Sequence, residues 1–267
     1  MSDLSRAAIE ATLTTQRLGH PVVYLPRAGS TNDVAHNHAA GAAEGLLVVA
    51  DEQTAGRGRL DRTWWAPPGA GLLMSLLLRP PLSARQAGQL PMCLGLAAVE
   101  AIAQVAGVQV TLKWPNDIVW AGRKLGGMLT ELRLHGEQLD YVVLGLGVNV
   151  NLMFGPGGAA PVELWATATS LQMAAGRPVA RVALLAAILQ SCERWYDRLL
   201  AGAPVHEAWA AQLDTVGREV QVARPAGSLH GVAVGVTPEG GLIVRTAAGQ
   251  DEVVWAGDVS AVRNDVP

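Results

Sequence analysis

The sequence predicts an α+β fold: a mixed β-sheet body with helices packed on it over residues 1–214, then a small all-β barrel of SH3-like size over residues 215–267. Three observations carry this. Apolar runs of strand length, residues 46–50 and 71–78, are interleaved with helical patterns over 91–106 and 180–200, and two further strand patterns, 124–134 and 140–151, lie between those helices. Half of the 267 residues are hydrophobic and 16% are charged, enough for a sizeable core without disulfides. Beyond a boundary at 214–217, short strand candidates recur at 218–224, 230–236, 241–246 and 251–256, separated by glycine-bearing turns.

Each element has a local reason. Residues 5–18 carry a short helical pattern (Ile9, Leu13, Leu18) closed by Gly19 and Pro21. Residues 22–25 form a strand that turns at Ala28 and Gly29 into Ser30, Thr31, Asn32 and Asp33. Ser30 and Asp33 have capping-box spacing for a helix reaching Gly41. His36 and His38 on that helix are two residues apart, so their rings point to different sides and do not suit a shared metal. Pro91 opens the main helix, which ends at Gly107. Residues 110–112 and 118–120 are strands, and Ala121 and Gly122 turn the chain into the strand 124–134. In the strand 140–151, Gly145 and Gly147 weaken ordinary packing and mark a close approach of backbone or ligand. Residues 154–161 form a loop and 204–213 a shorter helix.

The overall balance restricts the function. A net charge of −3 argues against a general nucleic-acid binder, so any anion site is local. Cys93 and Cys192 lie in apolar helical patterns and read as buried thiols of a reducing compartment. Asp3, Arg6 and Glu10 interrupt any secretory signal, and the runs 71–78 and 94–105 are too short for a bilayer. The expectation is a cytoplasmic protein that does not enter a membrane.

Three polar clusters interrupt these apolar elements. Directly after the run 46–50 comes Gln53-Thr-Ala-Gly-Arg-Gly-Arg59, in which Gly56 and Gly58 free the backbone and Arg57 and Arg59 repel one another unless an anion lies between them. It reads either as a solvated basic turn or as a lid over a phosphate or carboxylate. In the second cluster Lys113 and Lys124 bracket Asn116 and Asp117. An amide beside a carboxylate reads either as a plain turn or as a holder of Mg²⁺ shared with phosphate oxygens. The third runs from Gly145 to Asn151. Ser30, Thr31 and Asn32 read as a helix cap or as binders of a polar ligand head. Together the clusters point to a nucleotide triphosphate, a metal ion and an anionic second substrate, without a P-loop and without a catalytic nucleophile.

Ser30-Thr31-Asn32, the Gly-Arg-Gly-Arg loop, Lys113-Trp-Pro-Asn-Asp117, Lys124-Leu-Gly-Gly127 and Gly145-Leu-Gly-Val-Asn149 occur in the order and spacing of biotin protein ligase. The chain resembles the short, monofunctional form, without the DNA-binding domain of the repressor-type members. The resemblance implies a catalytic domain of the biotin/lipoate ligase type. It implies ATP-dependent formation of biotinyl-5′-adenylate and transfer of biotin to a lysine of a biotin carboxyl carrier protein of acetyl-CoA carboxylase, with ATP, biotin and Mg²⁺ bound. It gives Ser30, Thr31, Asn32 and Gln53 the biotin head, and Gly56, Arg57, Gly58 and Arg59 the lid. Trp64 would stack near the adenine and Asn149 would contact the nucleotide, with Gly127 and Gly147 beside the ligands. Asp117 would hold Mg²⁺, Lys113 would lie by the phosphates, and Lys124 would be the main electrostatic catalyst, with Arg59 and Lys113 assisting. No DNA or membrane partner is implied, while pairing of an edge strand at 129–134 would make a homodimer. One departure is that Leu60 and Asp61 stand where the family loop usually carries glycine soon after the second arginine, which leaves the shape of the loop tip open.

Two rivals remain at this point. A lipoate protein ligase or octanoyl transferase resembles the same fold, but its linear acyl chain has no polar head for Ser-Thr-Asn to meet. A non-enzymatic RNA-binding module is opposed by the negative charge and by the lack of aromatics interleaved with basic residues.

Overall fold

The computed structural model describes residues 3–60, 62–224 and 227–261. In chain order the body comprises α1 (Arg6–Thr12), β1 (Val22–Leu25), α2 (Thr31–His38), β2 (Leu47–Ala50), β3 (Gly71–Leu78), α3 (Leu90–Ala106), β4 (Thr111–Lys113), β5 (Asp117–Trp120), β6 (Arg123–His135), β7 (Gln138–Asn149), α4 (Leu171–Ala175), α5 (Arg181–Leu200) and α6 (Val205–Gln212). The C-terminal part adds β8 (Glu219–Arg224), β9 (Gly227–Val236), β10 (Leu242–Arg245), β11 (Asp251–Val254) and β12 (Asp258–Ala261).

Seven strands form one mixed sheet in the order β1-β2-β3-β7-β6-β5-β4, parallel only between β1 and β2. Side chains alternate between the faces of a strand. Leu72, Met74, Leu76 and Leu78 of β3 accordingly join the main core, to which α3 and α5 contribute their apolar faces. Leu77 turns to the opposite face and packs with Ala35 of α2 and Ala39 just beyond it. Ser75 shares that second face, although it lies in an otherwise apolar, fully buried strand.

Several boundaries differ from the sequence expectation. Helix α1 stops at Thr12 instead of Leu18, and α2 stops at His38 instead of Gly41. The apolar residues beyond α1 still reach the core, Leu18 being fully buried, so hydrophobic spacing marked burial rather than helix there. Ser5 caps α1 by accepting from the Ala8 N–H at 3.1 Å. Ser30 makes no such bond at the start of α2. Gly107 ends α3 with φ 72°.

The C-terminal sheet has five antiparallel strands in the order β11-β10-β9-β8-β12, one more than the four read from the sequence. It is fastened to the body at its entry and at one turn. Asp214 N–H donates to Leu112 C=O at 2.8 Å, the Trp114 N–H to the Thr215 hydroxyl at 3.1 Å, and the Trp114 indole N–H to Gly240 C=O at 2.9 Å. Arg85 pairs with Glu239 at 2.7 Å. The stretch Gln86–Ala106 is long and apolar enough to cross a membrane by length and composition alone, but 67% of its apolar window is buried inside the fold. Cys93 and Cys192 are free and buried, and burial pushes both thiols up, Cys192 to about 12.

Candidate active site

Strand register builds the floor of the site. On the α2 face Leu73, Gly147, Gly127 and Asp117 lie opposite one another in a row, and Ser75, Gly145 and Leu129 form the next. Glycine is needed at two of these positions for space. A Cβ at Gly145 would collide with the Asn32 amide oxygen, and one at Gly147 would sit 2.7–3.0 Å from the Trp64 indole. Asn32 and Trp64 occupy the space those side chains would take, and beside them opens a cleft of about 530 Å³. It is lined by Ser30, Thr31, Asn32, Gln53, Arg57, Gly58, Arg59, Trp64, Lys113, Asn116, Asp117, Lys124, Gly127, Gly147 and Asn149, so residues far apart in sequence meet in one place. Gly56 does not line the cleft; it lets the loop pass close to Trp64, since a Cβ there would lie 2.5 Å from the Trp64 carbonyl oxygen.

One end of the cleft is neutral and polar. Ser30, Thr31 and Asn32 are all buried at the start of α2. The Thr31 N–H donates to Gln53 Oε1 at 2.7 Å. Ser75, which sequence reasoning overlooked, places its hydroxyl oxygen 2.7 Å from Thr31 Oγ1 and 2.6 Å from Asn32 Oδ1. Asn32 Nδ2 donates to Glu131 at 2.6 Å. Glu131 was likewise overlooked. It also lies 3.1 Å from Arg57 Nη2 and 3.3 Å from His36 Nε2. The available signal for Ser75 was a lone hydroxyl in an eight-residue apolar strand. For Glu131 no comparable signal exists, since an acid on a half-exposed strand is ordinary.

The other end is cationic. Lys124 Nζ pairs with Asp117 Oδ1 at 2.6 Å and lies 5.7 Å from the Trp64 ring centre. Arg59 reaches Asn116 Oδ1 at 3.4 Å. Lys113 stands opposite Asp117 in the β4–β5 register. Trp64 Nε1 is fully buried without a hydrogen-bond partner, a donor that a ligand acceptor would satisfy. Asn149 Nδ2 is committed to Thr169 C=O at 3.0 Å, which leaves its amide oxygen for any ligand. The wall facing Lys124 comes from a loop that pairs with it on both sides, through Lys124 N–H to Thr167 C=O and Thr169 N–H to Lys124 C=O. Nothing in the sequence marked that wall.

The basic loop has a different balance from the one expected. Arg57 does not wait for an external anion: it pairs with Asp33 at 2.7 Å and Glu131 at 3.1 Å. The bond to Asp33 and then that to Glu131 raise its pKa above the ordinary guanidinium value against the desolvation that lowers it. Asp33 therefore serves the loop and not a capping box. Leu60 takes φ 55°, so a left-handed turn at the loop tip falls on leucine. Asp61 lies outside the described residues.

Among the described residues no group of three or more His, Cys, Asp or Glu side chains could hold a metal ion. Asp117 offers a single carboxylate, with Asn116 beside it. That donor set fits Mg²⁺ only when phosphate oxygens and water complete the octahedron.

Residues 24–149 match the biotin/lipoate A/B protein ligase family, and residues 215–262 match the biotin protein ligase C-terminal domain. The chain is 37% identical over 256 residues to the bifunctional ligase/repressor BirA of Bacillus subtilis, covering 95% of this chain and 78% of that protein. It is 34% identical over 240 residues to the biotin–[acetyl-CoA-carboxylase] ligase of Paracoccus denitrificans, covering 88% and 98%. Among solved structures, the biotin protein ligase of Aquifex aeolicus in complex with biotin and ATP superposes with a TM-score of 0.77 at 28% identity, covering 92% of this chain and all of that one. The ligase of Leishmania major in complex with biotinyl-5-AMP gives 0.55 at 26% identity, covering 88% and 98%. With its motifs gathered in one cleft and both domain matches in order, this chain belongs to the biotin protein ligase family.

Proposed function

We propose that the chain activates biotin with ATP and transfers it to a lysine of a biotin carboxyl carrier protein, the biotin-bearing part of acetyl-CoA carboxylase. In the first step a biotin carboxylate oxygen bonds to the α-phosphorus and pyrophosphate leaves, giving biotinyl-5′-adenylate. In the second the lysine amine bonds to the acyl carbon, loses a proton, and AMP leaves. The observation that carries this reading is a single cleft with a neutral hydrogen-bonding end, around Thr31 and Gln53, and a cationic end at Lys124. Similar proteins named as biotin ligases, and similar structures holding biotin with ATP or biotinyl-5-AMP, support it.

Ser30, Thr31, Asn32 and Gln53 take the ureido head of biotin, whose N–H and C=O groups need partners when they leave water. Gly147 lets the Trp64 indole lie against the sheet and Gly127 lies against Lys124 and Asp117, so both glycines serve the ligands by seating the side chains that meet them. Lys124 lies where carboxylate and α-phosphate meet, and a fixed cation there offsets both their repulsion and the charge that develops in transfer. Arg59 and Lys113 extend the positive field along the phosphates. The loop of Gly56, Arg57, Gly58 and Arg59 excludes water, which would otherwise hydrolyse the mixed anhydride. Trp64 stacks by the adenine and Asn149 accepts from the nucleotide side. Asp117 would hold Mg²⁺, which supplies charge neutralisation on the phosphates.

Residues 1–214 form the catalytic unit in this reading and 215–267 the C-terminal one. Its partner is the carrier protein; the net charge of −3 supports a role without DNA. A second copy of the chain could pair at the edge of β6, since beyond Met128 that strand pairs with β7 alone among the described strands. The buried free thiols suit a reducing, cytoplasmic setting.

Exchange of labelled pyrophosphate into ATP tests the reading, with biotin, lipoate or octanoate supplied and with or without EDTA. Exchange is expected with biotin alone and only while Mg²⁺ is present. A linear acyl chain would offer no partner to Ser30, to the Thr31 lone pairs or to Gln53 Nε2, at about 1–3 kcal/mol for each buried group left unmet. Equal exchange with lipoate would move the chain to the lipoate branch of the family, and none with any acid would end the enzyme reading.

A further inference from the structure

Four residues from α2, β3 and β6, together with Gln53, form an unbroken line of contacts: Glu131 Oε2 to Asn32 Nδ2 at 2.6 Å, Asn32 Oδ1 to Ser75 Oγ at 2.6 Å, Ser75 Oγ to Thr31 Oγ1 at 2.7 Å, and Thr31 N to Gln53 Oε1 at 2.7 Å. Thr31 Oγ1 also lies 3.0 Å from Gln53 Oε1. We infer that Glu131 and Ser75 are positioning residues which fix the Thr31 hydroxyl as an acceptor, so that the head subsite selects a ligand N–H at that point. The inference rests on the ligase reading above, and on an accounting of protons.

Both ends of the line have only one polarity. A carboxylate only accepts, so the Asn32 atom facing Glu131 is its NH₂ group, which also faces the Leu129 carbonyl at 3.4 Å. The Asn32 atom facing Ser75 is therefore the carbonyl oxygen, and the contact at 2.6 Å requires the Ser75 proton. A hydroxyl has one proton to give. The contact between Ser75 and Thr31 then takes the Thr31 proton. At the far end a backbone N–H only donates, so the Gln53 atom facing Thr31 is its oxygen, already satisfied by that N–H. The longest contact, Thr31 Oγ1 to Gln53 Oε1, is left without a proton. Thr31 thus turns lone pairs, and no proton, toward the cleft, while Gln53 Nε2 remains a donor. One acceptor beside one donor is the complement of a ureido edge, N–H beside C=O.

The same Glu131 holds Arg57 of the basic loop and faces His36, which is itself 3.1 Å from the Tyr141 hydroxyl. Charge on the loop and polarity in the head subsite are therefore anchored on one carboxylate. The two effects separate by substitution. Glu131→Gln keeps an oxygen for Asn32 but gives up the ion pair, whereas Glu131→Ala gives up both.

The test uses the full chain, with biotin affinity measured by calorimetry, KM for biotin and ATP from pyrophosphate exchange, and a thermal melt for each variant. Ser75→Ala and Glu131→Ala are expected to weaken biotin about tenfold or more, with KM for ATP changed less than about threefold. Glu131→Gln should stay within about threefold of wild type for biotin. A further probe is the pair of biotin analogues in which one ureido N–H is replaced by oxygen. For the analogue that costs the wild type most, Ser75→Ala should add less than about threefold, since the donor it serves is already gone. Biotin affinity unchanged in Ser75→Ala, Glu131→Gln as weak as Glu131→Ala, or biotin and ATP weakened alike would each overturn the relay while leaving the ligase reading intact. Wild type that binds no biotin would overturn both.

Discussion

Lys124 shows how one side chain acquires a role from its neighbours. Its ammonium is held by Asp117 at 2.6 Å, with the Trp64 indole face 5.7 Å away and Arg59 and Lys113 lining the same cleft. An ion pair this exposed adds little stability. In the mechanism proposed above its value is placement, since a cation preset where two anions meet needs no reorganisation during the reaction. Lys124→Ala is therefore expected to slow biotinyl-adenylate formation about 100- to 1000-fold, the range seen when one preorganised transition-state donor is lost. Calorimetry of the same variant should show biotin affinity nearly unchanged, because the head subsite proposed above lies at the other end of the cleft. Adenylate formation at the wild-type rate in stopped flow would remove Lys124 from the mechanism.

At the scale of elements, the hairpin between β5 and β6 sets where Lys124 and Asp117 face one another. Its two-residue turn, Ala121 and Gly122, has φ 48° and 73°, the left-handed pair that matches the twist of a tight hairpin. Glycine adopts this without strain, but alanine pays roughly 1–2 kcal/mol for it. Ala121→Gly removes that strain and adds about 0.5–1 kcal/mol of unfolded-chain entropy, so a net gain of about 0.5–1 kcal/mol is expected. Urea denaturation would read the gain as a higher midpoint with an unchanged slope; a lower midpoint would contradict the assigned turn.

Across the whole molecule, Trp114 ties the cationic end of the cleft to the C-terminal sheet. It belongs to the Lys-Trp-Pro-Asn-Asp stretch, yet its indole is 2% exposed and donates to Gly240 C=O, while Val259 of β12 reaches the cleft from the same sheet. The tryptophan of this stretch is thus a bolt between the two parts. Trp114→Phe keeps most of the packing and deletes the donor, leaving Gly240 C=O unpaired, and should cost about 1–3 kcal/mol. A denaturation midpoint equal to wild type would show that the two parts are held together elsewhere.

Much of this was legible in the chain itself. Residues 22–25 and 71–78 became strands with the expected bounds, because short apolar runs framed by turn residues have few other solutions. The motifs stood out as candidate site segments, since Gly-Arg-Gly-Arg and Lys-Trp-Pro-Asn-Asp are dense in charge and backbone freedom where the surrounding sequence is apolar. Other features depended on partners distant in sequence. Arg57 reads as a ligand clamp until Asp33 and Glu131 are seen to meet it, 24 and 74 residues away. Ser30 has the spacing of a cap but makes no cap bond. Ser75 shows only a lone hydroxyl in an apolar strand, Glu131 carries no local signature, and β12, the strand beyond the four read from the sequence, is set by its pairing with β8. Local sequence determines propensity, periodicity and the supply of functional groups. Which groups face one another, and therefore which protons and charges are already committed before a ligand arrives, follows from strand register and helix placement, and only the tertiary structure decided that.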